Sequence, residues 1–146
     1  YDSSVVPAKT SLYGLPNAEK SPYKISSENI EKNNPDGVLT EFPLLVTNFL
    51  GKKIPAAGGF YLRSLPIKIT KNAIKNYEKQ GIPSSFYIHS WELTPEYMPK
   101  LELPFKDNFA TFHNIDDTYK RMNEILEEFE FTSFANYISQ EMNLPN

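Results

Sequence analysis

The stretch "PIKITKNAIKNYEKQGIPSSFYIHSWEL", residues 66–93, decides the predicted fold. Its first part predicts a helix over 66–80, because Pro66 stands at an early position, apolar side chains recur along one face, and Gly81 follows as a stop. Residues 84–89 then predict a short apolar strand after a turn of only a few residues. Helix, short turn and apolar strand together are typical of an α/β unit, and they predict a parallel sheet or barrel.

The chain on the N-terminal side of this unit is less regular. Turn residues recur throughout 1–37, which predicts a long irregular connection with at most a short strand over 4–6. The turn signal "NNPDG" precedes a predicted strand over 38–42, which Pro43 ends. Residues 51–66 are punctuated by glycine and proline and predict a loop of specific shape.

The C-terminal side predicts two more helices. Apolar residues at spacings of three and four predict a helix over 116–129, with Asn114 or Asp116 as its cap. The segment "EFEFTSF" predicts a short strand. A final helix is predicted over 134–142, capped by Thr132 or Ser133.

Composition restricts the class of protein. The 146 residues suffice for one domain or part of a larger one, and 40% are hydrophobic, which argues against disorder throughout. The net charge of −3 comes without a basic face, so no nucleic-acid partner is predicted. No apolar run approaches the roughly 20 residues that span a bilayer. The absence of cysteine excludes disulfides and thiolate chemistry, and the compartment stays open.

His89 is the residue that most needs explanation, because the chain has only two histidines. In the predicted strand, Phe86 and Ile88 point to one side, while Ser85, Tyr87 and His89 point to the other. His89 stands at the carboxyl end, where α/β proteins mount active-site groups. An imidazole there can act as general acid or base near neutral pH, or it can be a structural residue bonded to nearby backbone.

A metal site made by this chain alone is not predicted. The two histidines, His89 and His113, are far apart in sequence and lack the spacing of a zinc site. They would have to meet Asp116 or Glu92 through the fold. The pair Asp116–Asp117 stands at a helix start, where capping is the simpler explanation.

Five motifs occur in an order that is more informative than any one of them. The motifs are "YDSS" (1–4), "EFPLLV" (41–46), "GGFYLRSLP" (58–66), "FYIHSWEL" (86–93) and "NIDDTYKRMNEIL" (114–126). Together they resemble the C-terminal half of polysaccharide deacetylases of carbohydrate esterase family 4, in the branch with a His-Pro-Trp-Glu motif and a short C-terminal extension.

The resemblance implies a fold and a set of site residues. The fold is α/β, a partial, distorted (β/α) barrel without its N-terminal strands, with 1–37 mostly irregular, 38–93 as the α/β core and 94–146 as a helical extension. His89 corresponds to the catalytic histidine that protonates the leaving amine, and Ser90 replaces the usual proline. The implied substrate-binding residues are Trp91, Glu92, Arg63 and Tyr61; for Arg63, pairing with Glu92 and contact with substrate are both open.

The resemblance also implies what this chain lacks. The Asp-Asp, His-x-x-x-His and Arg-x-Pro motifs of such enzymes are absent, and they would precede Tyr1. A divalent metal, zinc or similar, is expected in the complete enzyme, bound by the missing N-terminal half, with no cofactor in this chain. The metal-bound water would attack the acetamide carbonyl of an N-acetylated sugar.

Three hypotheses of function follow. In the first, the chain is the C-terminal part of a metal-dependent polysaccharide deacetylase, inactive alone, whose partners are an N-acetylated polysaccharide or oligosaccharide and the N-terminal half of the domain. In the second, it is a non-catalytic carbohydrate-binding or assembly module, with Trp91 and tyrosines stacking on sugar rings. A stand-alone domain with a private site at His89 and His113 is a third. Uncovered sheet edges in a partial barrel predict self-association.

Overall fold

Three stretches of chain run parallel around Leu44 in the computed structural model, which describes residues 1–10, 13–99 and 101–141. Asp2 forms a parallel bridge with Glu41, and Leu44 forms one with Ser85. The Leu45 amide donates to the Ser85 carbonyl over 3.1 Å. The parallel direction is the one expected of an α/β unit, but these contacts are single bridges.

The regular strands form two small antiparallel sheets. Strand β1 (Tyr23–Ile25) pairs with β2 (Leu39–Glu41), and β3 (Val46–Phe49) pairs with β4 (Lys52–Pro55). Strand β2 confirms the prediction over 38–42. The fold is mixed α/β, as predicted, and the described residues form no closed barrel.

Helices account for most of the remaining regular structure. The predictions over 66–80 and 116–129 are confirmed, and so is the final helix, although residue 142 lies outside the described residues. The helices are α1 (Gly59–Ser64), α2 (Ile67–Glu78), α3 (Ser90–Leu93), α4 (Phe105–Phe112), α5 (Asp117–Glu128) and α6 (Phe134–Glu141), with a 3-10 turn at Pro95–Tyr97.

The caps of the last two helices differ. The Asn136 amide donates to the Ser133 hydroxyl over 3.2 Å, so Ser133 caps α6 as predicted. Asp116 precedes α5 but makes no capping hydrogen bond through its side chain, and Asn114 bonds elsewhere.

Four local predictions are wrong. The segment 84–89 pairs only at Ser85, so it is not a regular strand. "EFEFTSF" forms no strand, and the regular strand within 1–37 is β1, at Tyr23–Ile25, instead of one over 4–6. The predicted loop over 51–66 instead contains β4 and α1. Strand β4 pairs with β3 in a hairpin, because Leu50 and Gly51 both take the positive φ values that a tight hairpin turn needs.

The core lies between α2 and the parallel stretches. Ala73, Ile74 and Tyr77 form the buried face of α2, and Phe86 and Ile88 pack against the same cluster. The alternation is confirmed for 86–89, where Tyr87 and His89 lie on the exposed side, but Ser85, predicted on that same side, is buried because it pairs with Leu44 and Leu45. This side carries the candidate site. No helix in the described part of the chain is long and apolar enough to cross a membrane.

Candidate functional site

Arg63 and Glu92 form a buried ion pair at the base of the candidate site. Arg63 is 1% exposed and Glu92 is 2% exposed. The Arg63 Nη1 donates to Glu92 Oε1. Of the two alternatives open for Arg63, the geometry shows the ion pair; contact of Arg63 or Glu92 with a substrate stays a prediction.

The remaining Arg63 donors hold the end of α4. Nη2 lies 2.7 Å from the Ala110 carbonyl and 3.0 Å from that of Thr111, and Nε lies 2.8 Å from that of His113. These carbonyls are at the helix C-terminus, where unpaired acceptors and the helix dipole favour a cation. One guanidinium thus joins α1, α4 and the carboxylate of α3, and its charge is compensated despite burial.

Two glycines make room for the site. A Cβ atom at Gly59 would overlap the Glu92 carboxylate, and one at Gly58 would lie 3.0 Å from the Tyr87 ring. Gly58 also has a φ of 94°, a conformation that side chains disfavour. The paired glycines therefore let the first turn of α1 lie directly against Tyr87 and Glu92.

His89 stands immediately before α3, and Glu92 contacts both its backbone and its ring. Glu92 Oε2 accepts from the His89 backbone amide over 3.0 Å and lies 3.1 Å from the ring Nδ1. A carboxylate can only accept, so Nδ1 carries the hydrogen. The Nε2 atom forms no hydrogen bond with the described residues, and the side chain is 54% exposed. The ring therefore presents Nε2 for contact with a ligand.

Aromatic rings flank His89 on two sides. Trp91 stacks on the imidazole with a centroid distance of 5.4 Å, and Tyr87 meets it edge-on at the same distance. Tyr61, on α1, hydrogen-bonds with Tyr13. Of the predicted residues, Trp91 and His89 thus lie together, whereas Tyr61 contacts Phe60 and Tyr13 and does not line the cleft beside His89.

A shallow cleft of about 180 Å³ opens at this end. Residues from α1, α3 and α4 contribute its walls, so it depends on the contacts that Arg63 makes. The lining consists of Gly59, Phe60, Arg63, Tyr87, His89, Trp91, Glu92, Ala110 and Thr111.

The described residues hold no group of three histidine, aspartate or glutamate side chains that could bind a metal ion. His113 stacks on Phe109 at 4.4 Å, and its Nε2 lies 3.1 Å from the Asn114 amide. His89 is engaged with Glu92. The donors present do not fit the metal that the resemblance implies, so no chemical step is assigned to a metal here.

Sequence reasoning missed two contributions to this site. The contacts of Gly58 and Gly59 with Tyr87 and Glu92 are not among the predictions, because they depend on how the elements meet. Helix α4 is not among them either, although Phe105, Phe109 and Phe112 recur at helical spacings of four and three.

The comparisons with known proteins bear on the whole chain. A family described as "Domain of unknown function (DUF3473)" matches residues 3–139. No curated protein and no solved structure matches the chain. Because the family match spans nearly all of the 146 residues, the chain belongs to the DUF3473 family.

Proposed function

We propose that this chain is the C-terminal part of a polysaccharide deacetylase, with His89 as the group that protonates the departing amine. The observation that carries the proposal is the orientation of the His89 ring: Glu92 holds Nδ1 over 3.1 Å, and Nε2 is left without a partner among the described residues. The ordered motifs described above support the substrate class. So does family membership, since DUF3473 is associated with the C-terminal regions of polysaccharide deacetylases.

The proposed step is a proton transfer. When the carbon–nitrogen bond of the tetrahedral intermediate breaks, the bonding electrons go to nitrogen, and the Nε2–H of protonated His89 supplies the proton. The amine leaves neutral, and His89 becomes a neutral imidazole that keeps its hydrogen on Nδ1. Glu92 accepts that hydrogen in both states, so the ring does not have to reorient.

The other site residues have positioning roles in this proposal. Arg63 compensates the Glu92 charge from inside the protein and fixes the end of α4 beside the cleft. Trp91 stacks on one face of the imidazole, and its ring also offers an apolar surface for a sugar. The metal and the base implied by the resemblance would have to be bound by residues other than those described.

The test is substitution of His89 in the whole protein that carries this chain. We expect His89→Gln to lower kcat for acetate release from N-acetylglucosamine oligomers by about 10²–10⁴-fold, the usual contribution of general acid catalysis. The matched control is His113→Gln, because His113 lies outside the cleft lining. Equal activity of the His89→Gln and wild-type proteins would remove the basis of the proposal.

A second candidate function is the carbohydrate-binding module. It is favoured by one observation: the rings of Trp91 and Tyr87 both line the cleft, on two sides of His89, and offer stacking surfaces for a sugar. In that case His89 has only a structural role, so His89→Gln should leave oligosaccharide binding intact, and no acetate should be released by the whole protein.

A further inference from the structure

A second cavity lies beside the His89 cleft. Its volume is about 440 Å³, within the range of small-molecule sites. Tyr87 lines both cavities, so one ring separates the space above His89 from the second cavity. The two spaces are therefore adjacent parts of one surface.

The second cavity has an uncharged lining. Val6, Leu15 and Leu44 contribute apolar surface to it, and no Asp, Glu, Lys, Arg or His is among its lining residues. The hydroxyls of Ser3 and Ser4 are present, but they already donate to the Phe42 carbonyl and the Asp2 carboxylate. An ionic ligand would find no countercharge there, so the lining suits a neutral ligand with an apolar face.

Two tyrosine rings bracket this cavity and are partly open to solvent. Tyr13 is 46% exposed and Tyr87 is 42% exposed. Such rings offer a large apolar surface at little conformational cost, which is how proteins bind the apolar face of a flat ligand. A sugar ring has such a face, made by its axial C–H groups.

The Tyr13 ring is held in place from both ends. Its hydroxyl hydrogen-bonds with Tyr61, and burial, followed by that bond, raises the pKa of Tyr13 to about 12, so the phenol stays protonated at any physiological pH. Gly14 follows with a φ of 116°, and a Cβ there would overlap the Ala8 carbonyl. The Leu15 amide donates to the Val6 carbonyl over 2.9 Å, which fixes the chain behind the ring.

We infer that the cavity between Tyr13 and Tyr87 binds a neutral hexopyranose ring of the polymer, one sugar away from the residue that reacts at His89. The identity of the polymer rests on the proposed function, whereas the binding itself does not. The ring stacks on Tyr13, and the shared wall at Tyr87 sets the spacing between this sugar and the reacting one.

Calorimetric titration of the chain tests this inference. The probes are the tetramer of N-acetylglucosamine and cellotetraose, which has the same sugar-ring geometry without acetamido groups. We expect Tyr13→Ala to weaken binding of both by about tenfold or more, as loss of an aromatic stacking surface does. Tyr13→Phe keeps the ring and the backbone turn behind it and loses only the hydroxyl bond to Tyr61, so it is expected to retain most of the binding, which separates stacking from any loss of fold.

Tyr119→Ala is the matched control, since Tyr119 is an exposed tyrosine on α5 outside the cavity. Unchanged binding by Tyr13→Ala, equal weakening by Tyr119→Ala, or no binding by the wild type would each overturn the inference. Weakening for the N-acetylated tetramer alone would also overturn it, since the cavity would then hold the acetyl group. Loss of acetate release in His89→Gln with unaltered Tyr13→Ala binding would leave the proposed function standing and this inference refuted. Unchanged acetate release in His89→Gln together with weakened binding by Tyr13→Ala would refute the proposed function and leave this inference standing.

Discussion

The Glu92 carboxylate occupies the space that a Cβ atom at Gly59 would need. Because the same carboxylate holds both the backbone and the ring of His89, a change at Gly59 reaches the imidazole through Glu92.

Gly59→Ala should displace Glu92 and destabilise the fold by about 1–3 kcal/mol, the usual cost of overfilling a packed site. The free energy of unfolding in urea measures the loss, and NMR of the His89 ring should show an altered environment. The control is Gly81→Ala. Gly81 has a φ of 67° but open space around it, so that substitution should cost about 1–2 kcal/mol from the backbone alone and leave the His89 signals unchanged. A normal His89 spectrum in Gly59→Ala would contradict the prediction.

Removing one partner of the buried Arg63–Glu92 ion pair should lower the free energy of unfolding more than removing both partners. Arg63→Met leaves the Glu92 charge buried without a partner, and we expect a loss of about 3–5 kcal/mol in unfolding free energy. The double variant Arg63→Met/Glu92→Leu should recover much of this, because no isolated charge remains. Chemical denaturation of the two single variants and the double variant measures the coupling.

A double variant as unstable as Arg63→Met would point to a different cause. It would show that the bonds from Arg63 to the α4 carbonyls, and not the charge pairing, dominate. Arg121→Met is a useful comparison, since Arg121 caps the end of α1 through the Leu62 and Leu65 carbonyls but is less buried.

Glu41 should make stability depend on pH. Burial raises the pKa of its carboxyl, against the opposing effect of the Val5 amide, which donates to Oε1 over 2.9 Å. Its Oε2 is buried without a partner among the described residues. A raised folded-state pKa means that the protonated group stabilises the fold at low pH, and that this contribution is lost as the pH rises through the folded pKa.

The measurement compares wild type with Glu41→Gln between about pH 4 and pH 8, a window that spans the ordinary glutamate pKa and extends above it. The amide cannot ionise, so the stability of the variant relative to wild type should increase as the pH rises. A difference that is constant across this window would refute the assignment. Carboxylates that are not coupled to Glu41 cancel in the comparison; Glu128, for example, has its pKa lowered by hydrogen bonds from Lys75 and Lys71. Asp2 is coupled, since its charge raises the pKa of Glu41.

The helices α2 and α5 could be predicted because their information is local. Each has an apolar stripe, and Gly81 marks where the first one stops. The segment 84–89 carries an equally clear alternation, and residues 86–89 follow it, whereas Ser85 is buried. Its pairing does not follow from the alternation, because a strand needs a neighbour along its length, and here only Ser85 meets one.

Helix α4 and the details of the candidate site show the limit of local information. The sequence of α4 carries an apolar stripe, Phe105, Phe109 and Phe112 at spacings of four and three, but no residue of α4 is buried, so the stripe does not place the helix on the core. What holds its end is Arg63, which is 47 to 50 positions away in sequence. The Arg63–Glu92 pair was one of two alternatives, but its burial and the second bond of Glu92 to His89 depend on how α1 and α3 meet.

The attachment of α4 by a single guanidinium has a consequence for local opening. Besides Arg63, a loose edge-on contact between Phe60 and Phe109, at 6.3 Å, links the helix to α1. Segments with few buried contacts open at a free energy well below that of global unfolding. Amide hydrogens of α4 should therefore exchange with solvent long before those of α2. The wall of the cleft at Ala110 and Thr111 should open transiently while the core stays folded.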